Sequence, residues 1–376
     1  MKKVGIATVC TGYNFGSALQ AYATKLILND LGFDGVLLGL KGSLIKGRDI
    51  RLKKMLVMSK RVLLHYNKFK KHIKTYKSSL SAKITEDEKM MFEKFSETYL
   101  KPYYTTWGEL KKDAKSGNYY AFFAGSDQIW NSEALYVDPF YYLRFAPKQK
   151  RIAFVPSFGR NYIADYNKKV IGKYIKDFNR ISVREQSAVG IVKELTGKQA
   201  ECLLDPTLIV PKEKWKAELK ISEINEKYIL AYFLNEPSDY AKKYMQKLAE
   251  EKNMKILSIG CGGEDSTWLD VKINAGPKEF VEYLSNADYV CTDSFHGTAF
   301  SVNFGIPFFT FQRQYGNAGE QSERIKSLLS LTKMESRYEP EMKIMYEATD
   351  KEACEEILKA EREKAGKYLS EVLGSI

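Results

Sequence analysis

Residues 287–300 read Ala-Asp-Tyr-Val-Cys-Thr-Asp-Ser-Phe-His-Gly-Thr-Ala-Phe, which sets His296 in a short polar turn between an apolar run at 288–292 and a helical run from 298. The chain has only three histidines. A polar turn after a buried strand lies at the carboxyl end of a parallel sheet, where open α/β folds bind ligands. The next helix would aim its first N–H groups and positive dipole end at the same point. His296, with Ser294, Gly297 and Thr298 around it, is therefore placed to donate a proton or meet an anion near neutral pH; the alternative is a histidine that caps or packs the turn. Asp293 would orient that ring or cap the helix. Arg184 also follows an apolar run and precedes a helix. A guanidinium there grips a carboxylate or phosphate with two parallel hydrogen bonds, unless Glu185 or another carboxylate pairs with it. Asp127, beside Ser126, is the candidate base toward a hydroxyl. Asp205 precedes Pro206, where forming a turn is its expected task. Arg324 opens a helix after a glycine-bearing segment and either swings into a cleft or stays exposed.

The loop 11–17 joins a strand to a helix but has neither GxGxxG nor GxxxxGK(S/T), so it gives no sign of a dinucleotide or P-loop nucleotide. Asn14, Gly16 and Ser17 would cradle a phosphate or sugar oxygen through backbone N–H groups, or form a plain turn with Ser17 as helix cap. Ser157 sits at another strand end. Tyr13, Trp130, Phe158 and Phe295 either stack on sugar faces or pack a core.

These residues need a frame. Strand-like runs at 4–10, 36–40, 119–124, 151–155, 181–183 and 201–204 alternate with helical runs at 18–31, 86–99 and 187–195. The alternation restarts with strands at 227–233, 255–259, 288–292 and 306–311 and helices at 238–252, 277–285, 298–304 and 324–331, closing with a charged helix at about 351–373. Such regularity predicts an α/β fold with parallel sheets covered on both faces. Two sets predict two Rossmann-like doubly wound domains facing a cleft. Residues 1–220, carrying a basic helical insertion at about 41–110, form the first and residues 221–350 the second, with the boundary in the polar stretch 211–226.

The 376 residues are 44% hydrophobic, enough for two full-sized cores. Five cysteines form no CxxC pair, His65 and His72 are not spaced as metal ligands, and no DxD lies at a strand end; reduced core thiols and no metal are expected. The apolar run 4–10 is a first strand rather than a signal peptide, and no apolar run reaches a membrane span. A cytoplasmic location follows as the expectation, peripheral to the inner face of the membrane. Between residues 41 and 83 fourteen Lys or Arg face one acidic residue, a net +13 that exceeds the whole chain's +12 and leaves the rest nearly neutral. Interleaved apolar residues make parts of this segment an expected amphipathic helix. Its partner would be anionic lipid or a lipid-linked or acidic glycan, or it is a solvated excursion packed on the body. Nucleic acid ranks last, since no binding motif accompanies the charge.

Together the segments 14–22, 124–131, 181–185, 204–207, Gly276-Pro277 and 293–298 resemble the polysaccharide pyruvyltransferase family. The ordered set spans residues 4 to about 331 and leaves out the basic insertion and the last helix. The resemblance implies a GT-B-like pair of Rossmann-type domains, with the final helix (351–376) packing back on the first. It implies transfer of a pyruvyl group from phosphoenolpyruvate, a donor substrate with no further cofactor, onto two hydroxyls of a sugar to form a cyclic ketal. Arg184 and His296 match the family's donor-binding arginine and histidine. Better-described members carry Arg-Leu-His-Gly where this chain has Ser294-Phe295-His296-Gly297, so one anion-binding arginine is missing. Arg324, Arg313 or Arg160 is left to supply its charge, or the donor differs. Two other readings are a GT-B-like glycosyltransferase using a nucleotide sugar and a non-catalytic relative that binds anionic glycan or membrane.

Overall fold

The computed structural model describes residues 1–10, 12–41, 56, 59–60, 62–64, 84–134, 136–260, 267–313, 322–342 and 351–376. The amphipathic helix and anionic partner expected of the basic segment fall almost wholly outside them. Among the described residues no helix is long and apolar enough to cross a membrane.

Two parallel sheets organise the chain. The first has strands β1 (Lys2–Ala7), β2 (Phe33–Leu40), β3 (Tyr103–Thr105), β4 (Tyr119–Ala124), β5 (Arg151–Ala153), β6 (Arg180–Val183) and β7 (Glu201–Cys202), in the order 3-2-1-4-5-6-7. The second has β8 (Tyr228–Tyr232), β9 (Lys255–Ile259), β10 (Val271–Ile273), β11 (Tyr289–Thr292) and β12 (Phe308–Thr310), in the order 10-9-8-11-12. Every neighbouring pair is parallel. Parallel strands are covered on both faces and so read as continuous apolar runs; β8, Tyr-Ile-Leu-Ala-Tyr, is buried throughout. In each sheet the strand order reverses once, between β1 and β4 and between β8 and β11, and such switch points open the crevice where ligands bind.

Among the described residues the α-helices with defined bounds are α1 (Phe15–Asp30), α2 (Glu86–Phe95), α3 (Trp107–Lys115), α4 (Asp165–Ile175), α5 (Gln186–Thr196), α6 (Pro206–Ile209), α7 (Lys212–Leu219), α8 (Asp239–Lys252), α9 (Pro277–Asn286), α10 (Phe295–Phe304), α11 (Glu323–Leu331) and α12 (Lys351–Gly374). A helix that is apolar on every side belongs inside a protein. That describes α10, in which all ten residues are buried, and nearly describes α1, in which only Lys25, Asn29 and Asp30 escape burial. These two helices start at the two switch points.

Three findings bear on the sequence reading. Helix α10 begins at Phe295 rather than 298, because Ser294 caps it and accepts from Gly297 N, so His296 lies in the first helical turn. The polar stretch 211–226 contains α7, held by the fully buried Trp215, whose indole donates to Thr207 O at 3.1 Å. Trp130 and Phe158 are core residues, their ring centroids 5.4 Å apart.

The halves are joined by aromatic packing. Phe15 at the start of α1 stacks on Phe280 of α9 with centroids 4.9 Å apart, and meets Tyr232 of β8 edge-on at 5.6 Å. Helix α12 crosses both halves: Tyr120 OH donates to Leu373 O, while Arg362 donates to Leu208 O and to Asn303 Oδ1 of α10. Truncating Phe15 to Ala should therefore lower the unfolding free energy by about 3–5 kcal/mol. A loss under ~1 kcal/mol in chemical denaturation would show that this ring does not hold the halves together.

Candidate active site

The loops after β1, β4, β8 and β11 enclose a cavity of about 230 Å3 lined by Asn14, Ser17, Asp127, Gln128, Ser294, Phe295, His296, Arg313 and Arg324, among others. It lies at both switch points at once. Two helix N-termini begin at its edge, those of α1 and α10, and N-termini favour anions. Asn14, not Ser17, caps α1, accepting from Ser17 N at 2.9 Å. The Ser17 hydroxyl donates instead to Asp127 Oδ2 at 2.5 Å. Asp127 stands at φ +65° and accepts from Gln128 N through Oδ1; Asp tolerates this left-handed region better than most residues.

His296 packs so closely on α1 that a β-carbon at Gly16 would lie 1.9 Å from its Nδ1. Its Nε2 is buried, has no hydrogen-bond partner and sits 3.9 Å from Asp205 Oδ2. Burial depresses the imidazole's proton affinity, Asp205 and Asp127 partly restore it, and Arg184 and Arg324 lower it further. The net shift is downward, so the ring is neutral at pH 7 and its approach to Asp205 is no ion pair.

Asp205 is the hub that turn chemistry alone does not reveal. It caps α6, with Oδ1 accepting from Thr207 N and Oγ1, while Oδ2 accepts from Ser126 Oγ at 3.1 Å and Arg184 Nη1 at 2.7 Å. Burial alone would raise this carboxyl, but the Arg184 charge, His296 and the hydrogen bonds overcome that and hold it at about 2. Arg184 is equally buried. Burial would lower it, yet Asp205, Glu185 and Asp127 raise it on balance, so it stays charged. Its Nε and Nη2 have no partner, and neither does Glu185 Oε2.

Arg184 does not line the cavity that holds His296. It lines an adjoining chamber of about 520 Å3 with Glu185, Asp205, Leu204, Leu328 and Lys364, and Phe295 and Arg324 border both spaces. The Phe295 ring carries Arg184 4.6 Å from its centroid and Arg324 at 5.4 Å. Arg324 is buried rather than exposed. With the Gln128 amide turned oxygen-first, Gln128 accepts from Arg324 Nη2 at 2.6 Å. Burial first, then Arg184 and Arg313, pull Arg324 down to about 9, which leaves it cationic at neutral pH.

Other residues singled out by sequence serve as supports. Ser126 is fully buried and also donates to Val155 O. Ser157 gives its proton to Glu185 Oε1. Thr298 donates to Ser294 O, and a β-carbon at Gly297 would meet Thr292 Oγ1 at 2.5 Å. Asp293 does not cap α10; it accepts from Leu234 N, and burial raises it to about 6 despite Arg313. Arg160 donates to Tyr162 and lines neither space. Among the described residues no three His, Cys, Asp or Glu side chains gather as metal ligands.

Because a β-carbon at Gly16 would overlap His296 Nδ1, Gly16→Ala should displace the imidazole and destabilise the fold by about 1–3 kcal/mol. The His296 ring resonances, assigned with His296→Ala, should move in NMR spectra. An unmoved His296 would show that the contact is not made.

Among solved structures the chain is similar to Acinetobacter baumannii MurG (9% identity, TM-score 0.43, covering 100% of both chains). It is also similar to two UDP-GlcNAc 2-epimerases. One is from Neisseria meningitidis and bound to UDP-GlcNAc (10%, 0.46, 96% of this chain and 99% of that). The other is from Methanocaldococcus jannaschii (11%, 0.40, 96% and 99%). No curated protein matches by sequence. The family model for polysaccharide pyruvyl transferase matches residues 14–315, from the cap of α1 past Arg313. The chain thus belongs to the polysaccharide pyruvyl transferase family and is a transferase.

Proposed function

We propose that the donor is phosphoenolpyruvate and that its pyruvyl group is transferred to a sugar of a cell-surface polysaccharide or its lipid-linked precursor. The observation that carries this reading is Arg324. It is a buried guanidinium with no carboxylate in ion-pair distance among the described residues, held by the neutral Gln128 at the edge of the His296 cavity. Buried charges are ordinarily paired, so Arg324 is suited to take an anion. With the free Nε and Nη2 of Arg184 beside Phe295 and two helix N-termini, the cleft offers separate grips for the carboxylate and phosphate of one small molecule. Arg324 stands in for the arginine missing at Ser294.

The chemistry needs a proton on the donor's methylene carbon, which makes the adjacent carbon electrophilic. One sugar hydroxyl adds there, the bond to phosphate breaks, and a second hydroxyl closes the ketal. The two hydroxyl protons end on the methyl carbon and on phosphate. His296 is the acid or phosphate partner and Asp127 the base toward the hydroxyl. His296 is neutral in the empty site, so it must be charged by the arriving dianion, which raises its pKa.

Calorimetric titration should give saturable phosphoenolpyruvate binding, weakened roughly 10–100-fold by Arg324→Gln, as for loss of a charge-assisted hydrogen bond of about 1.5–3 kcal/mol. Binding to the folded protein of a nucleoside diphosphate such as UDP, but not of phosphoenolpyruvate, would favour the nucleotide-sugar reading and sink this one.

The pH dependence has a definite sign. Binding raises the His296 pKa, so it draws in a proton, and affinity weakens as pH rises above the bound-state value. Titrations near pH 7 in buffers of different ionisation heat should show proton uptake that His296→Ala abolishes. Equal uptake in that variant would remove His296 from the donor's phosphate.

A further inference from the structure

Asp205 makes four hydrogen bonds within its own half of the molecule and faces the other half at His296, whose Nε2 lies 3.9 Å from Oδ2. No other carboxylate lies within ion-pair distance of the ring among the described residues. Asp127, which also acts on the imidazole, has its oxygens engaged by Ser17 and Gln128 N, and the remaining charges facing it, Arg184 and Arg324, only donate. The opposite nitrogen, Nδ1, faces Gly16 at the start of α1. A carboxylate behind one imidazole nitrogen fixes which nitrogen carries the proton and frees the other for chemistry.

We infer that Asp205 is a positioning residue that keeps the His296 proton on Nε2, so that Nδ1 is the nitrogen offered to the reacting molecule. The inference rests on the proposed reaction only for the identity of that molecule. An approach of the two halves by about 1 Å brings Nε2–H and Oδ2 into hydrogen-bond range. The same carboxylate already fixes Arg184 by Nη1 alone and leaves Nε and Nη2 uncommitted, so one anion sets the orientation of both groups.

The test uses the full chain labelled with 15N-histidine, with His296→Ala assigning the signal. Neutral His296 in the wild type should show a protonated Nε2 and an unprotonated Nδ1. In Asp205→Asn the two shifts should move toward a common average, and Asp205→Glu should restore part of their separation. A structural role alone would leave the tautomer unchanged. A wild type with the proton on Nδ1, or a folded Asp205→Asn with unaltered shifts, overturns the inference; if that variant does not fold, the wild-type tautomer decides. Adding phosphoenolpyruvate to the same samples separates the two ideas: a His296 signal that ignores it counts against the donor and leaves the tautomer result standing.

Discussion

A carboxylate buried without solvent needs fixed donors on nearly every lone pair, and Asp205 has them from Thr207, Ser126 and Arg184. Those donors come from the ends of β4 and β6 and the start of α6. The need to satisfy one charge therefore locks three separate segments into one surface. The same charge keeps Arg184 cationic where burial would oppose it and, among the described residues, is the one carboxylate within ion-pair distance of His296 Nε2. Had Asp205 been solvated, none of these side chains would have a reason to hold its place.

Around that fixed point the charges are deliberately unbalanced. His296 is neutral, Arg184 is paired through one nitrogen, and Arg324 meets the Gln128 amide and, among the described residues, no carboxylate in ion-pair distance. Phe295 has both guanidiniums close to its ring, and an aromatic ring attracts cations, so it offsets part of the cost of bringing these like charges together. Both helices that frame the cavity are sunk in apolar surroundings, so their N-termini are rigid and poorly screened, the conditions under which helix ends act most strongly on an anion.

Much of this could be read from the chain before any coordinates. Continuous apolar runs gave away the parallel strands, and the turns after them marked His296, Arg184 and Asp127. The short edge strands β3 and β10 carry no such run, since Tyr103 and Tyr104 are exposed and β10 is barely buried. The start of α10 was misplaced because Ser-Phe-His-Gly has weak helix propensity; tertiary burial of the whole helix overrides that. Arg324 looked like an ordinary exposed charge at a helix start, and only packing against Phe295 and Gln128 makes it internal. For Asp205 the sequence points only to a turn before Pro206; its role as a helix cap and as partner of Arg184, Ser126 and His296 depends on contacts that no local spacing reveals.

Helix α12 carries a consequence for biosynthesis. Its buried residues Leu358, Ala365, Leu369, Val372 and Leu373 belong to the same core cluster as α1 and the inner face of the first sheet. The first sheet is made early, but that apolar surface stays bare until residues 351–374 have left the ribosome. A nascent chain thus holds an uncovered sticky face through most of its translation, and a ribosome that stalls after β12 releases a product with both sheets present and that face open to aggregation.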